Sequence, residues 1–228
     1  MSNVAHWKQR IAPVEKDKSK TAAAYDRMSA AYDTFVGRLE GRYRDVGLAA
    51  LAPIAGERIL ELGCGTGHAL LALARAVGAT GRVTGVDLSS RMCALARTRI
   101  ATSNVTCAVD VQHGDVTKLS ASDHSVDAAF ASFTLELLSA DDISLALSEL
   151  TRVLAPGGRL GVVSLALPES PTLGTKLYLL SHAWFPRFVD CRPIPGREIL
   201  VEAGYDIERA DTHSMWGLPV DCIVARRA

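Results

Sequence analysis

The sequence predicts an α/β fold: a doubly wound, mostly parallel seven-stranded sheet with helices on both faces. Strand patterns alternate with helical periodicity through short connections, which is the pattern of parallel βαβ units. A glycine-rich turn follows the first strand, as in doubly wound sheets that bind ligands. With 228 residues and 48% hydrophobic residues, the chain is long enough to bury one sizeable core.

The first predicted strand leads into the segment Glu61-Leu62-Gly63-Cys64-Gly65-Thr66-Gly67. Three glycines in five positions permit positive φ and remove the Cβ atoms that would hold a ligand away. The helical pattern that follows is carried by Ala69, Leu70, Leu73 and Val77. This strand, turn and helix bring backbone N–H groups close to a bound cofactor. A purely steric need for glycine in a tight turn is the alternative explanation.

A second strand over residues 82–86 ends at Asp87-Leu88-Ser89, about twenty residues after Gly67. In a doubly wound sheet this end lies beside the first glycine turn, so the Asp87 carboxylate can reach ribose hydroxyls. An acid at this spacing serves enzymes that bind NAD and enzymes that bind S-adenosylmethionine (SAM). The alternative is that Asp87 caps the helix starting near Ser89.

One position separates these two cofactors. A dinucleotide fingerprint has Gly or Ala three positions after its second glycine, where helix and strand pack closely. Counting from Gly65, that position is His68, which is too bulky. His68 therefore argues against a dinucleotide at this turn, whereas SAM has a sulfonium group and no phosphate. An NAD-dependent oxidoreductase and a non-catalytic SAM-binding or interaction protein remain as alternatives.

The remaining elements follow in order along the chain. Helices start near Ser89 and Asp141. Tyr25 and Tyr32 lie seven residues apart in a helical region over 21–51 and so share one helix face. The further predicted strands cover residues 107–113, 125–133, 159–167, 207–213 and 220–225.

The connection after the fifth strand is long and rich in proline and aromatic residues. A link of this length is uncommon unless it is functional, so residues 167–195 are predicted to form a lid-like substrate element. We expect residues 1–20 to be flexible and residues 21–228 to form a single domain.

Four segments in order carry a resemblance to class I SAM-dependent methyltransferases. They are Glu61–Gly67, Asp87, Gly114-Asp115-Val116 and Arg152–Leu160. With the tyrosine-aspartate pairs at 25–26 and 32–33, the chain resembles the ubiquinone and menaquinone methyltransferases and their small-molecule relatives. The resemblance implies the Rossmann-like methyltransferase fold, one such domain over 21–228, and methyl transfer from SAM to a small, apolar or aromatic acceptor.

The same resemblance implies a set of cofactor-binding residues. Asp115 would bind the adenine amino group, and Tyr25 or Tyr32 would close over the cofactor. The full set is Tyr25, Tyr32, Gly63, Cys64, Gly65, Gly67, Asp87, Leu88, Met92, Asp115, Val116, Ser132 and Phe133.

The chain departs from the quinone enzymes after the fourth strand, where they commonly continue with Arg-Asn and this chain has Thr134-Leu135-Glu136-Leu137. A proton-abstraction arrangement that uses that arginine therefore does not carry over. Glu136 and His182 are the candidate catalytic bases. The candidate substrate-binding residues are Glu136, His182, Trp184, Asp190, Arg192 and Trp216.

Each candidate has a structural alternative. Glu136 could be a solvated loop acid, and His182 could be satisfied within an aromatic cluster. Asp190 and Arg192 could form an ordinary surface ion pair, and Trp216 could pack in the core.

Charge and cysteine content narrow the partners. The 25 basic and 25 acidic residues balance, so no nucleic-acid partner is expected. The five cysteines form no Cys-x-x-Cys pair, which predicts reduced thiols, no metal site and a cytoplasmic protein. No apolar run approaches 18 residues, and the N-terminus lacks an apolar signal core. Peripheral membrane contact is a less favoured alternative for a lipid acceptor, and the oligomeric state is open.

Overall fold

The computed structural model describes residues 6–13, 40–168 and 191–228. Within these residues, seven strands form one sheet in the order β3-β2-β1-β4-β5-β7-β6. β7 runs antiparallel to β5 and β6, and the pairings among β1 to β5 are parallel. The predicted doubly wound, mostly parallel sheet is confirmed. The strands are β1 Arg58–Leu62, β2 Arg82–Asp87, β3 Ala108–His113, β4 Val126–Ser132, β5 Leu154–Leu165, β6 Tyr205–Met215 and β7 Leu218–Arg227.

The helices begin close to the positions that the sequence predicts. The Ser89 hydroxyl accepts a hydrogen bond from the Met92 N–H at the start of α3, and Ser139 does the same for Asp142 in α4. Each serine satisfies one N–H group left free at a helix N-terminus. The helices are α1 over residues 40–51, α2 His68–Val77, α3 Ser90–Ala101, α4 Ala140–Val153 and α5 Gly196–Glu202, with short 3-10 turns at His6–Gln9 and Leu135–Leu137.

Each face of the sheet carries its own hydrophobic cluster. On one face, α4 and α5 contribute Leu150 and Ile199. On the other face, α1, α2 and α3 contribute Leu51, Leu73 and Ala96. Successive strand residues point to opposite faces, so the apolar strands supply both clusters. The prediction of helices on both faces is therefore confirmed.

The strand order reverses between β1 and β4. The chain runs outward from β1 through β2 to β3, then returns to place β4 on the other side of β1. At their carboxyl ends, Leu62 of β1 lies opposite Val86 of β2 and Ala131 of β4. Open α/β sheets bind ligands in the crevice at such a switch point, which directs attention to the segment after Leu62.

The N-terminal segment differs from its prediction. Residues 6–13 were expected to be flexible, but Trp7 is 2% exposed and joins the core beside α4 and α5. The Lys8 ammonium and Arg10 guanidinium pair with Asp141 and Glu198. Burial of one large aromatic side chain contributes about 2–3 kcal/mol, enough to hold a short segment against the sheet.

Two further differences concern the second half of the chain. β5 begins at Leu154 rather than at Arg159, because Leu154 pairs with Val126 and a β-bulge then shifts the register. Gly157, with φ of +70°, lies inside this bulge. Helix α5 follows Pro195 directly, and its seven residues are too few for periodicity to reveal it from the sequence.

Candidate functional site

A cavity of about 80 Å³ lies over the segment that follows β1, at the switch point. Side chains of α1, the end of β4 and the start of α2 enclose it together with the loop 63–67. The lining residues are Glu40, Arg44, Glu61, Gly63, Cys64, Gly65, Thr66, His68, Ala69 and Ser132. Four of the predicted cofactor-binding residues, at positions 63, 64, 65 and 132, meet in this cavity.

The three glycines of the loop have different roles. All have positive φ, a conformation that costs little only for glycine. A Cβ at Gly63 would lie 2.4 Å from the Thr134 hydroxyl, and a Cβ at Gly67 would lie 3.0 Å from Ala96 of α3. No atom lies within 4 Å of a Cβ built at Gly65. Gly63 and Gly67 are therefore required by packing, whereas Gly65 leaves open space for a ligand.

Asp87 holds the glycine loop against the next turn. Its carboxylate accepts hydrogen bonds from the Gly65 N–H and the Ser89 N–H, each at 2.8 Å. The helix cap is Ser89, so the alternative that Asp87 caps α3 is wrong. The Asp87 carboxylate thus lies next to the loop, as predicted. The carbonyl of the next residue, Leu88, lies 3.0 Å from the His113 Nε2.

Asp115 forms a turn at the end of the third strand. Its Oδ1 accepts hydrogen bonds from the Thr117 N–H at 2.9 Å and the Thr117 hydroxyl at 2.8 Å. Val116 and Met92 have buried side chains. These hydrogen bonds fix the position of the carboxyl group at the same sheet edge as Asp87, since β2 and β3 are parallel neighbours.

Cys64 lines the cavity, and its side chain is buried against β2. A Cβ on Gly85 of β2 would lie 3.0 Å from the Cys64 sulfur, so the glycine leaves room for this side chain. Burial raises the pKa of the Cys64 thiol, and the nearby acids Glu61 and Asp87 raise it further. The thiol is therefore a packing group in its neutral form.

Glu61 is a site residue that the sequence analysis missed. Its side chain lines the cavity but is only 3% exposed, and its Oε2 has no hydrogen-bond partner among residues 6–13, 40–168 and 191–228. Burial and the charge of Asp87 raise the pKa of Glu61 well above its usual value, while Arg44 opposes the shift. A carboxyl group within an otherwise buried strand is costly unless a cation or donor compensates it. That exception to the apolar strand pattern was the available signal.

The end of β4 is tied to the glycine loop. Phe133, with φ of +51°, is a buried left-handed residue whose N–H donates to the Val163 carbonyl. The Thr134 hydroxyl donates to the Leu62 carbonyl at 3.0 Å. These contacts turn the chain back toward β1 and place Ser132 at the cavity.

Glu136 follows in the 3-10 turn after β4, but it is not a surface acid. The side chain is fully buried, its Oε1 accepts a hydrogen bond from the Leu165 N–H at 3.1 Å, and its Oε2 has no partner. Burial raises the pKa of Glu136 to about 8; Glu40 raises it further and Arg192 lowers it. The alternative of a solvated loop acid is wrong because the turn folds the carboxyl group under the end of β5.

Arg192 is also buried, with 3% exposure. Its terminal nitrogens donate to the Ala12 and Leu138 carbonyls, and its Nε has no partner. Burial lowers the pKa of Arg192 to about 10, although the charge of Glu136 opposes the shift. The alternative of an ordinary surface ion pair is therefore wrong for this residue.

The exposure of Trp216 rules out the alternative that it packs in the core. Trp216 and Gly217 form the two-residue turn between β6 and β7 and both have positive φ, as a type I′ hairpin requires. The Trp216 side chain is 75% exposed. It neither packs in the core nor lines an enclosed pocket, because the turn directs it outward.

Five predicted site residues lie outside the described residues: Tyr25, Tyr32, His182, Trp184 and Asp190. The predicted lid-like element, 167–195, also falls largely outside them. Over the described ranges, no helix is long and apolar enough to span a bilayer. The same ranges contain no group of three or more His, Cys, Asp or Glu residues that could hold a metal ion.

The residues around the cavity fit an adenosyl amino acid. Glu61 offers an unsatisfied buried oxygen to an ammonium group, and Gly65 leaves a space that any other residue would fill. The Arg44 side chain also lines the cavity, and its charge lowers the pKa of this carboxyl group. A cavity of about 80 Å³ has room for only a few water molecules, so side chains of α1 must move outward to admit a ligand of that size.

Comparisons with known proteins agree with this geometry. A family model described as a methyltransferase domain matches residues 59–158. The chain is 37% identical to the demethylmenaquinone methyltransferase of Clavibacter sepedonicus over 75% of this chain and 69% of that protein. It is 32% identical to the 2-phytyl-1,4-naphtoquinone methyltransferase of Nostoc punctiforme, over 72% of this chain and 73% of that protein.

Solved structures share the fold. One is the 1,6-didemethyltoxoflavin-N1-methyltransferase of Burkholderia thailandensis, which was crystallised with its acceptor and S-adenosylhomocysteine. The two chains superpose with a TM-score of 0.64 over 96% of this chain and 95% of that one, at 17% sequence identity.

Proposed function

This chain belongs to the class I SAM-dependent methyltransferases, and we propose that its acceptor is a small, apolar or aromatic molecule. The curated relatives support an aromatic acceptor, since their names specify menaquinone and naphthoquinone substrates. The observation that carries the cofactor site is the cavity over Gly65, bordered by the unsatisfied carboxyl group of Glu61.

We assign the cofactor contacts to residues of three strand ends. Glu61 accepts hydrogen bonds from the ammonium group of the amino-acid tail. Asp87 accepts hydrogen bonds from the ribose hydroxyls, and Asp115 accepts one from the adenine amino group. The backbone of Gly63 and Gly65 forms the floor on which the amino-acid tail lies.

When bound, SAM supplies the methyl group and a sulfonium leaving group. The protein therefore needs mainly to hold the acceptor at near-attack distance and to keep water out. Ser132 and Phe133, at the end of β4, border the space in which the acceptor approaches. We further propose that residues 21–228 form one methyltransferase domain and that the segment 167–195 contributes to acceptor binding.

Calorimetry with S-adenosylhomocysteine tests the cofactor site. The intact chain should bind one equivalent with a dissociation constant in the micromolar range, and Asp87→Ala should weaken binding at least about tenfold. Asp127→Ala is the matched control, because this carboxylate pairs with Arg58 at the opposite edge of the sheet. Binding of NADH instead of S-adenosylhomocysteine by the intact chain would contradict the assignment.

A transfer assay tests the acceptor class. Label from methyl-labelled SAM should appear in 1,4-naphthalenediol and related small aromatics. Tight S-adenosylhomocysteine binding without transfer to any member of a broad acceptor panel would instead indicate a non-catalytic SAM-binding protein.

A further inference from the structure

Two buried charged side chains meet beyond the carboxyl ends of β4 and β5. Glu136 is fully buried, and Arg192 is 3% exposed. The Arg192 guanidinium donates to the Leu138 carbonyl, which caps the same 3-10 turn that carries Glu136. Each charge shifts the pKa of the other group. Both side chains are held around this turn by Leu138 and Leu165, although no hydrogen bond joins them among the described residues.

Each of these side chains keeps one polar atom without a partner. The Glu136 Oε1 is satisfied by the Leu165 N–H, whereas its Oε2 is unpaired. The terminal nitrogens of Arg192 donate to Ala12 and Leu138, whereas its Nε is unpaired. Glu136 Oε2 can thus accept a hydrogen bond, or donate one when the carboxyl group is protonated. Arg192 Nε–H can donate one.

The two unpaired buried atoms lower the stability of the folded chain. A buried polar atom without a hydrogen-bond partner loses its bonds to water and gains none in return, and well-packed apolar residues often replace a buried ion pair without loss of stability. Such atoms are rare in native structures and call for a specific explanation. A bound molecule that bonds to both would provide one.

The position of the pair points to the methyl acceptor as that molecule. Glu136 lies four residues after Ser132, which lines the cavity over the glycine loop. The pKa of Glu136 also responds to the charge of Glu40, another residue of that cavity. Glu136 thus lies beyond the carboxyl ends of β4 and β5, the end of the sheet that carries the cofactor cavity and where open α/β sheets bind ligands.

Resting on the methyl-transfer function proposed above, we infer that Glu136 Oε2 and Arg192 Nε bind one ionisable hydroxyl group of the acceptor. The acceptor is therefore a phenol or an enol. Arg192 donates to the hydroxyl oxygen and stabilises its negative charge, and Glu136 accepts the hydroxyl proton.

The step balances as a proton transfer followed by a displacement. The acceptor O–H bond breaks, the proton moves to Glu136 Oε2, and the electron pair stays with the acceptor. An electron pair of that anion forms the bond to the methyl carbon, while the methyl–sulfur bond breaks and its pair goes to sulfur. Burial raises the pKa of Glu136 to about 8, which makes its carboxylate a better base toward a phenol, whose usual pKa is about 10.

Binding of a matched pair of probes tests the oxygen site. The full chain, saturated with S-adenosylhomocysteine, is titrated under anaerobic conditions with 1,4-naphthalenediol and with 1,4-dimethoxynaphthalene, which lacks the acidic hydroxyls. The diol should bind at least about tenfold more tightly. Glu136→Gln and Arg192→Lys should each reduce this preference to about threefold or less, while Glu208→Gln, in an exposed ion pair with Arg226, should leave it unchanged.

Turnover of the diol tests the proton transfer. Glu136→Gln should lower kcat about 100-fold or more and abolish the rise of kcat/KM with pH as Glu136 ionises. Its affinity for S-adenosylhomocysteine and its thermal unfolding should show that the variant is folded. Wild-type kcat and an unchanged pH profile in Glu136→Gln would overturn the role of Glu136.

The outcomes separate this inference from the proposed function. A chain that binds S-adenosylhomocysteine but shows no preference for the diol contradicts the oxygen site and leaves the methyltransferase assignment intact. A chain that binds no S-adenosylhomocysteine contradicts the proposed function itself. An unchanged preference in both Glu136→Gln and Arg192→Lys contradicts the inference even if transfer occurs.

Discussion

The glycine loop and the turn after β4 lie at the same edge of the sheet but differ in how their polar groups are satisfied. In the glycine loop, the Asp87 carboxylate accepts hydrogen bonds from neighbouring backbone N–H groups, and the Glu61 Oε2 is unpaired within the part of the chain that the structure describes. In the turn after β4, both charged side chains, Glu136 and Arg192, retain an unpaired atom.

This difference separates two kinds of preorganisation. The loop is held in shape by its own hydrogen bonds and by Gly63 and Gly67, which packing requires, so a common cofactor finds a fixed surface. The β4–β5 side holds charged groups at a cost in stability, which suits recognition of one particular acceptor. Substitutions in the two regions test whether the loop mainly sets stability and cofactor affinity and the turn after β4 mainly sets acceptor recognition.

The largest effect is expected at Gly63. Gly63→Ala places a Cβ against the Thr134 hydroxyl, which also donates to Leu62, and forces alanine to a φ of +64°. Strain and overpacking together should lower the free energy of unfolding by about 2–4 kcal/mol. Chemical denaturation measures the loss, and a variant as stable as the wild type would show that the loop is not held by this contact.

The pH dependence of the free energy of unfolding tests the turn after β4. The pKa of Glu136 is raised from the ordinary 4.5 to about 8, so between these values the unfolded chain has lost a proton that the folded chain keeps. The stability contributed by this group is therefore fully present below about pH 4.5 and is lost as pH rises through about 8. The slope is at most about 1.4 kcal/mol per pH unit.

Denaturation of the wild type and Glu136→Gln from pH 5 to pH 9 measures this slope. Relative to the variant, the wild type should lose stability as pH rises to about 8 and then change no further. The charges that act on the group are Glu40 and Arg192. Parallel stability curves for the two proteins would mean that Glu136 ionises as a normal surface acid.

A smaller and more selective effect is expected at Gly65. Gly65→Ala meets no neighbouring atom, so only the φ of +49° opposes it, at a cost of about 1 kcal/mol in stability. The new methyl group nevertheless points into the space assigned to the ligand. S-adenosylhomocysteine affinity should fall about tenfold or more, and an unchanged affinity would place the ligand elsewhere.

The smallest effect is expected at Trp216. Trp216→Ser removes a side chain that is 75% exposed at a turn, so the free energy of unfolding should change by about 0.5 kcal/mol or less. Affinity for S-adenosylhomocysteine should be the same as in the wild type. A fall in diol binding would restore this tryptophan as a residue that contacts the acceptor.

The glycine loop and the position of Asp87 were predictable because the sequence features that indicate them follow one another along the chain. Strand, glycine turn and helix follow one another within residues 58–77, and the acid at Asp87 ends the next strand. Glu61 was missed because a carboxyl group inside a strand pattern carries no turn or capping signal. The early start of β5 was missed because the glycines at 157 and 158 suggest a break, whereas the backbone continues through a bulge.

The acceptor half was only partly predictable because distant segments build it. Glu136 was recognised as a candidate from its place after β4, but its burial depends on Leu165 and Arg192, which approach only in the folded chain. Arg192 was predicted to bind substrate, with a surface ion pair as the alternative, because the sequence does not show that the Ala12 and Leu138 carbonyls accept its hydrogen bonds. Trp216 is exposed because it lies in a two-residue hairpin turn, and the sequence did not predict the register of that hairpin.

The assignment of cofactor and acceptor to two different carboxyl groups is tested most directly by calorimetry. Glu61→Gln, Glu136→Gln and the wild type are each titrated with S-adenosylhomocysteine. The predicted result is at least about tenfold weaker binding for Glu61→Gln and affinity within about twofold of the wild type for Glu136→Gln. Wild-type affinity in Glu61→Gln, or an equal loss in both variants, would contradict the assignment of cofactor and acceptor to separate carboxyl groups.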